Sequence, residues 1–417
     1  MSRQGTLLLE LQAGPDVWVE VGFLRHSESR NWFEFSDSYW ELPNRPVLGQ
    51  IFEERGRAYR PSAHVALPHW FSHLLPEGRL RQAVASAAHT NSVREFELLA
   101  RIGQDDLPGA LRARSVTSPA DLSAPPELST NMSDEGRTNA LLKFSLAGAQ
   151  LKFSVRADDR GITVPAKGEA GNVILKFPDG RVGFLGVPEA ELGCLELARI
   201  SGIPTPRAEL WDPSKVDGLE EWAQRISGQA LAVHRFDRRA KHERVHMEEL
   251  AQVMNVPTKP EEIKYQKGNL ETVATHVAAL CGTAAVGNVI DRIVLNVIVG
   301  NGDAHLKNWA FIYPDSRIPA LSPVYDVLPT VLYVADDDMG LNLDGNKRFE
   351  LVNAKSFRRL GARTDYGPSL AEARARESVE KIMENWSTLK NYVTAEQFQF
   401  LTKRQTTLDL LAQRIHP

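Results

Sequence analysis

The most chemically loaded stretch of the chain reads Val299-Gly300-Asn301-Gly302-Asp303-Ala304-His305-Leu306-Lys307-Asn308. It follows an apolar helical run, Val289 to Ile298, which the two glycines break. A carboxylate, an imidazole, an ammonium and a carboxamide then fall within six residues. Eighteen residues beyond Asn308 stands a second carboxylate, Asp326, in Pro323-Val324-Tyr325-Asp326. Phosphoryl transfer is mostly positioning plus charge neutralisation, so a base, hard oxygen ligands for Mg²⁺ and a cation are its parts list. Asp303 has the place of the base, and Asn308 and Asp326 have the places of the metal ligands.

The five-residue interval from Asp303 to Asn308 is the interval of the protein-kinase catalytic loop, where a later Asp completes the metal site. Taken alone, the stretch is also an ordinary polar turn at a helix end. Lys176 closes the apolar run Asn172-Val173-Ile174-Leu175-Lys176-Phe177, which reads as a buried strand. It is a candidate phosphate contact, or a snorkelling edge-strand lysine.

These residues need elements to hold them. Residues 6–25 alternate as strands, with a Gly-Pro-Asp turn between them, and further short strands follow to about residue 67. Periodicity predicts helices over His69 to Ala87 and Val93 to Ile102, so the first 113 residues form an α+β unit. Residues 114–139, rich in Ser, Thr, Pro and acids, read as a linker. Residues 140–240 are β-rich, with a helix from about Pro188 to Ser201, and residues 241–417 are mostly helical, with helices over His246 to Met254, Leu270 to Cys281 and Ala285 to Val299. A β-rich half followed by an α-rich half, with a charged site between, is a two-lobed α+β layout.

Composition excludes several classes. With 42% apolar and 24% charged residues and a net charge of −4, the chain is ordinary globular protein with no whole-molecule field directed at nucleic acid. Cys194 and Cys281 sit in apolar helical contexts and read as thiols of a reducing cytoplasm. No signal peptide is visible, and the most apolar stretch, near 284–299, contains Asn288, Asp291, Arg292 and Asn296, so no membrane span is expected. The run Arg238-Arg239-Ala240-Lys241-His242 reads as a solvated turn, and the tryptophans read as packing residues.

Taken together, the motifs resemble the HipA family, the kinase toxins of bacterial type II toxin–antitoxin systems. The resemblance runs nearly the full length. It rests on Phe71-Ser72-His73-Leu74-Leu75-Pro76-Glu77-Gly78 with Arg81, on Phe96 to Gly103, on Ser145 to Lys152, on Lys176 and on Arg235-Phe236-Asp237-Arg238. In the helical half it rests on Glu248 to Gln252, Lys264-Tyr265, Gly300 to Asn308 and Pro323 to Asp326.

The resemblance implies a two-lobed protein-kinase-like fold with an extra N-terminal α+β subdomain and an α-helical C-terminal lobe. It implies ATP and Mg²⁺, with Asp303 as catalytic base, Asn308 and Asp326 on the metal, and Lys176 on the ATP phosphates. Glu191 would pair with Lys176. The loop Ala147, Gly148, Ala149, Gln150, Leu151 and Lys152 would cover the nucleotide. His234, Arg235 and Phe236 would meet the adenine, His305, Leu306 and Lys307 would line the phosphate side, and Tyr325 would flank the metal Asp. Ser145 matches the serine that family members autophosphorylate. His234 departs from the acidic residue often found there.

The expected function is thus a serine/threonine kinase that acts as a growth-arrest (persistence) toxin. Its expected partner is a HipB-like helix-turn-helix antitoxin, through which DNA contact is mainly made. The family's known type of target is an aminoacyl-tRNA synthetase. Two other readings stay open: a weakly catalytic co-repressor of such an antitoxin, and a kinase of small molecules.

Overall fold

Alternating apolar residues build the first sheet of the computed structural model, which describes residues 4–87, 91–104, 106–116, 152–158, 161–163, 170–178, 184–217, 227–240 and 243–412. Strands β1 (Gln4–Gly14), β2 (Val17–Ser27), β3 (Arg30–Phe35), β4 (Ser62–His64) and β5 (Leu111–Ser115) lie in the order β4-β3-β2-β1-β5. Helices α1 (Asp37–Glu41), α2 (Gln50–Arg55), α3 (His69–Ser72), α4 (Gly78–Ala87) and α5 (Glu95–Ile102) accompany it. Leu9, Leu24, Phe33, Phe52, Phe71 and Leu99 fill a core of its own. The helix expected over His69 to Ala87 is therefore two helices. Pro76 lacks the N–H a helix needs, and Gly78 turns left-handed at φ 53°.

The second sheet comprises β6 (Lys152–Asp158), β7 (Gly161–Thr163), β8 (Val173–Lys176), β9 (Ala208–Trp211), β10 (Val216–Asp217) and β11 (Ala230–His234). Its order is β10-β7-β6-β8-β11-β9, so β8 and its Lys176 are interior. Lys152 of β6 pairs directly with Lys176 of β8. Helix α6 (Val187–Ile200) carries Glu191, which is buried.

The rest is mainly helical: α7 (Leu250–Val253), α8 (Leu270–Cys281), α9 (Val286–Val299), α10 (Ala354–Arg363), α11 (Pro368–Glu384) and α12 (Ala395–Arg404). A small sheet of β12 (His246–Glu249), β13 (Ala310–Tyr313) and β14 (Ala320–Leu321) joins them in the order β12-β13-β14. The helix expected over His246 to Met254 is thus a strand followed by one short helix. The pairing of β12 with β13 turns Glu248 inward, where Gln50 N–H (2.9 Å), the Trp70 indole N–H (3.0 Å) and the Tyr313 hydroxyl all donate to it. That carboxylate bolts the first sheet's helices to the helical half.

Helix α9 is buried along nearly its whole length, and Ile290, Ile293, Val294 and Val297 anchor the largest core. Among the described residues, no helix is long and apolar enough to cross a membrane. Cys194 and Cys281 are free thiols. Ser145, the loop Ala147 to Leu151 and nearly all of the expected linker at 114–139 lie outside the described residues.

Candidate active site

The site is built where α9 stops. Gly300 takes φ 77°, a left-handed conformation that costs glycine little, and its N–H donates back to the Asn296 carbonyl at 2.9 Å. Asn301, buried, then ties the turn: its carboxamide oxygen accepts from Asp303 N–H (3.1 Å) and its NH₂ donates to Asn296 (3.0 Å) and to the Asp326 carbonyl (3.4 Å). The same side chain thus joins the Asp303 loop to the Asp326 loop. Beyond it, Leu306 is fully buried and pins a short 3-10 turn, Leu306–Asn308.

Lys176 and Asp326 meet in this site. The Lys176 ammonium, buried, donates to both Glu191 and Asp326, and Lys152 lies 3.5 Å from the other Asp326 oxygen. Burial opposes charge on Lys176, but the two carboxylates outweigh it and raise its pKa. Burial likewise opposes charge on Asp326, yet Lys152 and Lys176 hold its carboxyl well below the usual range. Glu191 is pushed upward by burial, offset only in part by Lys176, with Asp326 adding repulsion. Asp326 adopts φ 53°, a left-handed conformation uncommon for a non-glycine residue.

Asn308, Tyr325 and Asp326 share the wall of a small cavity with Arg292, Asn301 and Trp309. The Asn308 amide oxygen is buried and has no hydrogen-bond partner among the described residues. An orphaned amide oxygen beside an ionised carboxylate is a hard-oxygen donor set of the kind Mg²⁺ takes, so the residues fit that ion. Tyr325 is fixed by donating to the Lys307 carbonyl (2.6 Å), and its ring lies 5.5 Å from that of Phe236.

Other expected residues sit differently. The Lys307 ammonium is taken by Glu77 (2.7 Å) and Glu249 (3.3 Å), so it links the loop to the first sheet's helices and to the β12 end. The Arg235 side chain is enclosed in ion pairs with Asp106 (2.7 Å) and Asp237 (2.8 Å), a joint that Arg238 completes. Arg238 was expected in a solvated turn. Its side chain is only 5% exposed because Asp106, Asp237 and the Leu107 and Gly109 carbonyls satisfy its guanidinium. His234 stands 3.4 Å from Glu209 at the end of β11. Burial, with Lys264 nearby, pushes His305 down to about 4, so it is a neutral imidazole at pH 7.

Asp303 faces solvent, and one of its carboxylate oxygens accepts from the Tyr265 hydroxyl. Glu77, Glu249 and Tyr265 thus touch the loop directly. The sequence signal for them was their presence in the motifs Pro76-Glu77-Gly78, Glu248-Glu249 and Lys264-Tyr265, to which no role had been attached.

The fold and site define a kinase-like two-lobed architecture with an added N-terminal subdomain. Two family patterns match the chain: the HipA-like C-terminal domain over residues 144–387 and the HipA N-terminal domain over residues 17–114. A Sinorhizobium fredii protein named "Putative kinase Y4dM" is 39% identical over 371 residues, covering 87% of this chain and 88% of that one. A second from the same organism, Y4mE, described in the same words, is 29% identical over 72% of each chain. The solved HipA of Shewanella oneidensis, in complex with HipB and its operator DNA, superposes with a TM-score of 0.71 over 96% of both chains at 15% identity. The chain belongs to the HipA family.

Proposed function

We propose that this protein is an ATP- and Mg²⁺-dependent serine/threonine protein kinase and the toxin of a toxin–antitoxin pair. The observation that carries the reading is the buried Lys176 ammonium held between Glu191 and Asp326, next to the wall where the Asn308 amide oxygen has no partner among the described residues. A buried lysine kept charged by two carboxylates is poised to exchange one of them for a phosphate. Asp303 receives the proton of the acceptor hydroxyl as that oxygen bonds to the γ-phosphorus and ADP departs. Lys176 neutralises phosphate charge, and Glu191 would keep the ammonium in place were Asp326 to hold a metal ion. Bound Mg²⁺, held by Asn308 and Asp326, supplies charge neutralisation at the phosphates.

Ser145 is the proposed autophosphorylation site. A phosphate there adds close to two negative charges beside the stretch 147–152 that would cover ATP, and so switches the enzyme off. The proposed partner is a helix-turn-helix antitoxin, supported by the HipB–operator complex of the Shewanella relative. The proposed target class is a translation factor such as an aminoacyl-tRNA synthetase.

Intact-mass spectrometry after incubation with ATP and Mg²⁺ tests the reading, with peptide mapping and an Asp303→Ala control. One added phosphate on Ser145 in the wild type is expected, and a loss of about 10³-fold or more in rate in Asp303→Ala, with ATP still bound. No phosphate in either protein, with ATP bound, overturns autophosphorylation at Ser145 and favours a kinase that does not phosphorylate itself or a co-repressor.

A further inference from the structure

Lys264-Tyr265 and Glu77 have no part in the scheme above, yet they converge on its base. The Tyr265 hydroxyl donates to Asp303 Oδ1, and its ring packs edge-on against His305 at 5.1 Å. The Lys264 ammonium lies 5.5 Å from the centre of the Tyr265 ring and is held by Glu77 at 3.1 Å. The other Glu77 oxygen holds Lys307, two residues after His305, at 2.7 Å. One carboxylate of the N-terminal subdomain therefore fixes both the turn that carries Tyr265 and the loop that carries Asp303.

We propose that Tyr265 is a positioning residue for the base: it fixes the Asp303 carboxylate by occupying Oδ1 and leaves Oδ2 for the acceptor hydroxyl. The inference rests on the kinase reading. Asp303 is otherwise solvent-facing, and His305 Nε2 stands 4.0 Å from Oδ1, beyond hydrogen-bond reach. Among the described residues Oδ2 has no hydrogen-bond partner, so Tyr265 is what stops the carboxylate from rotating. Burial and the neighbouring Asp303 charge raise the Tyr265 phenol well above its ordinary value, which keeps it a proton donor at any working pH. Through the charge pairs on Glu77 the N-terminal subdomain becomes part of the catalytic geometry.

The test is steady-state phosphoryl transfer from ATP, with Mg²⁺, to casein and to the protein's own serines, measured with ATP affinity, for wild type, Tyr265→Phe, Asp303→Asn and the double variant. Tyr265→Phe keeps the ring against His305 and Lys264. It is expected to lower kcat by about 10- to 100-fold while KM for ATP stays within about twofold. In the Asp303→Asn background the same change is expected to have no further effect, because no base is left to position. Glu77→Gln is expected to lower kcat with the same unchanged KM, by a smaller factor. An active wild type with Tyr265→Phe and Glu77→Gln both at full kcat overturns the inference alone. So does a fall in kcat matched by a loss of ATP affinity, which is the signature of a structural role. A wild type that binds ATP and transfers no phosphate overturns the kinase reading, and this inference with it.

Discussion

At the scale of single residues, the site is governed by a buried charge balance. Lys176 sits between two carboxylates in a place where an unpaired charge is expensive. Lys176→Met leaves Glu191 without its cation and Asp326 with only Lys152, 3.5 Å from its other oxygen, and we expect it to destabilise the fold by about 3 kcal/mol. That is the low end for breaking a buried pair, because Asp326 is only half-buried and can turn to water. Chemical denaturation checks this, and a variant as stable as wild type would show that the pair adds nothing to folding. Asp303 and Asn308 stand out as candidates by residue type and interval, because a turn that breaks an apolar helix with two glycines keeps its polar side chains near one another. Tyr265 and Glu77 do not, because nothing local relates a phenol to a carboxylate 38 residues away.

At the scale of elements, the joint between the first sheet and the helical half is as specific as the site. Gly49 precedes α2, and a Cβ there would lie 2.6 Å from the Trp70 indole nitrogen and 2.8 Å from a Glu248 oxygen. Neither atom has room to move, since each is the other's hydrogen-bond partner at 3.0 Å. Gly49→Ala is expected to destabilise by about 1–3 kcal/mol through overpacking. It should also lower kinase activity through the Glu77–Lys307 contact, which crosses the same boundary. A thermal midpoint equal to wild type would show that the joint yields without loss. Elements of strong single period, such as α9 and β1, were legible in the sequence. The segment from His246 was not, because its inward-facing Glu248 breaks the apolar alternation that marks a strand.

At the scale of the whole molecule, buried titratable groups set a pH dependence. Burial pushes His73, His246 and His305 down to about 4. Their contribution is present above the unfolded value near 6.5 and is lost as pH falls through 4. Burial pushes Glu248 and Glu249 up to about 7, so their contribution is present below about 4.5 and is lost as pH rises through 7. For these five groups the net proton uptake on unfolding grows from near zero at pH 6.5 to about one at pH 5.5, so together they should lower stability by about 0.6 kcal/mol across that interval. Urea unfolding at pH 6.5 and 5.5 reads this directly, and a stability that rises on acidification would reverse the balance.

The sequence by itself determined the two-lobed layout, the family and the polar turn of the candidate site. Each of these is written in local period, in turn residues or in motif order. Only the tertiary structure decided which cations face the site and which are spent elsewhere. Lys176 and Lys307 are both lysines in family motifs. One reaches Asp326 because β8 is an interior strand beside α6, and the other reaches Glu77 because the N-terminal subdomain folds back on the catalytic loop. Long-range packing chooses the partner of a charge, and no spacing along the chain encodes that choice.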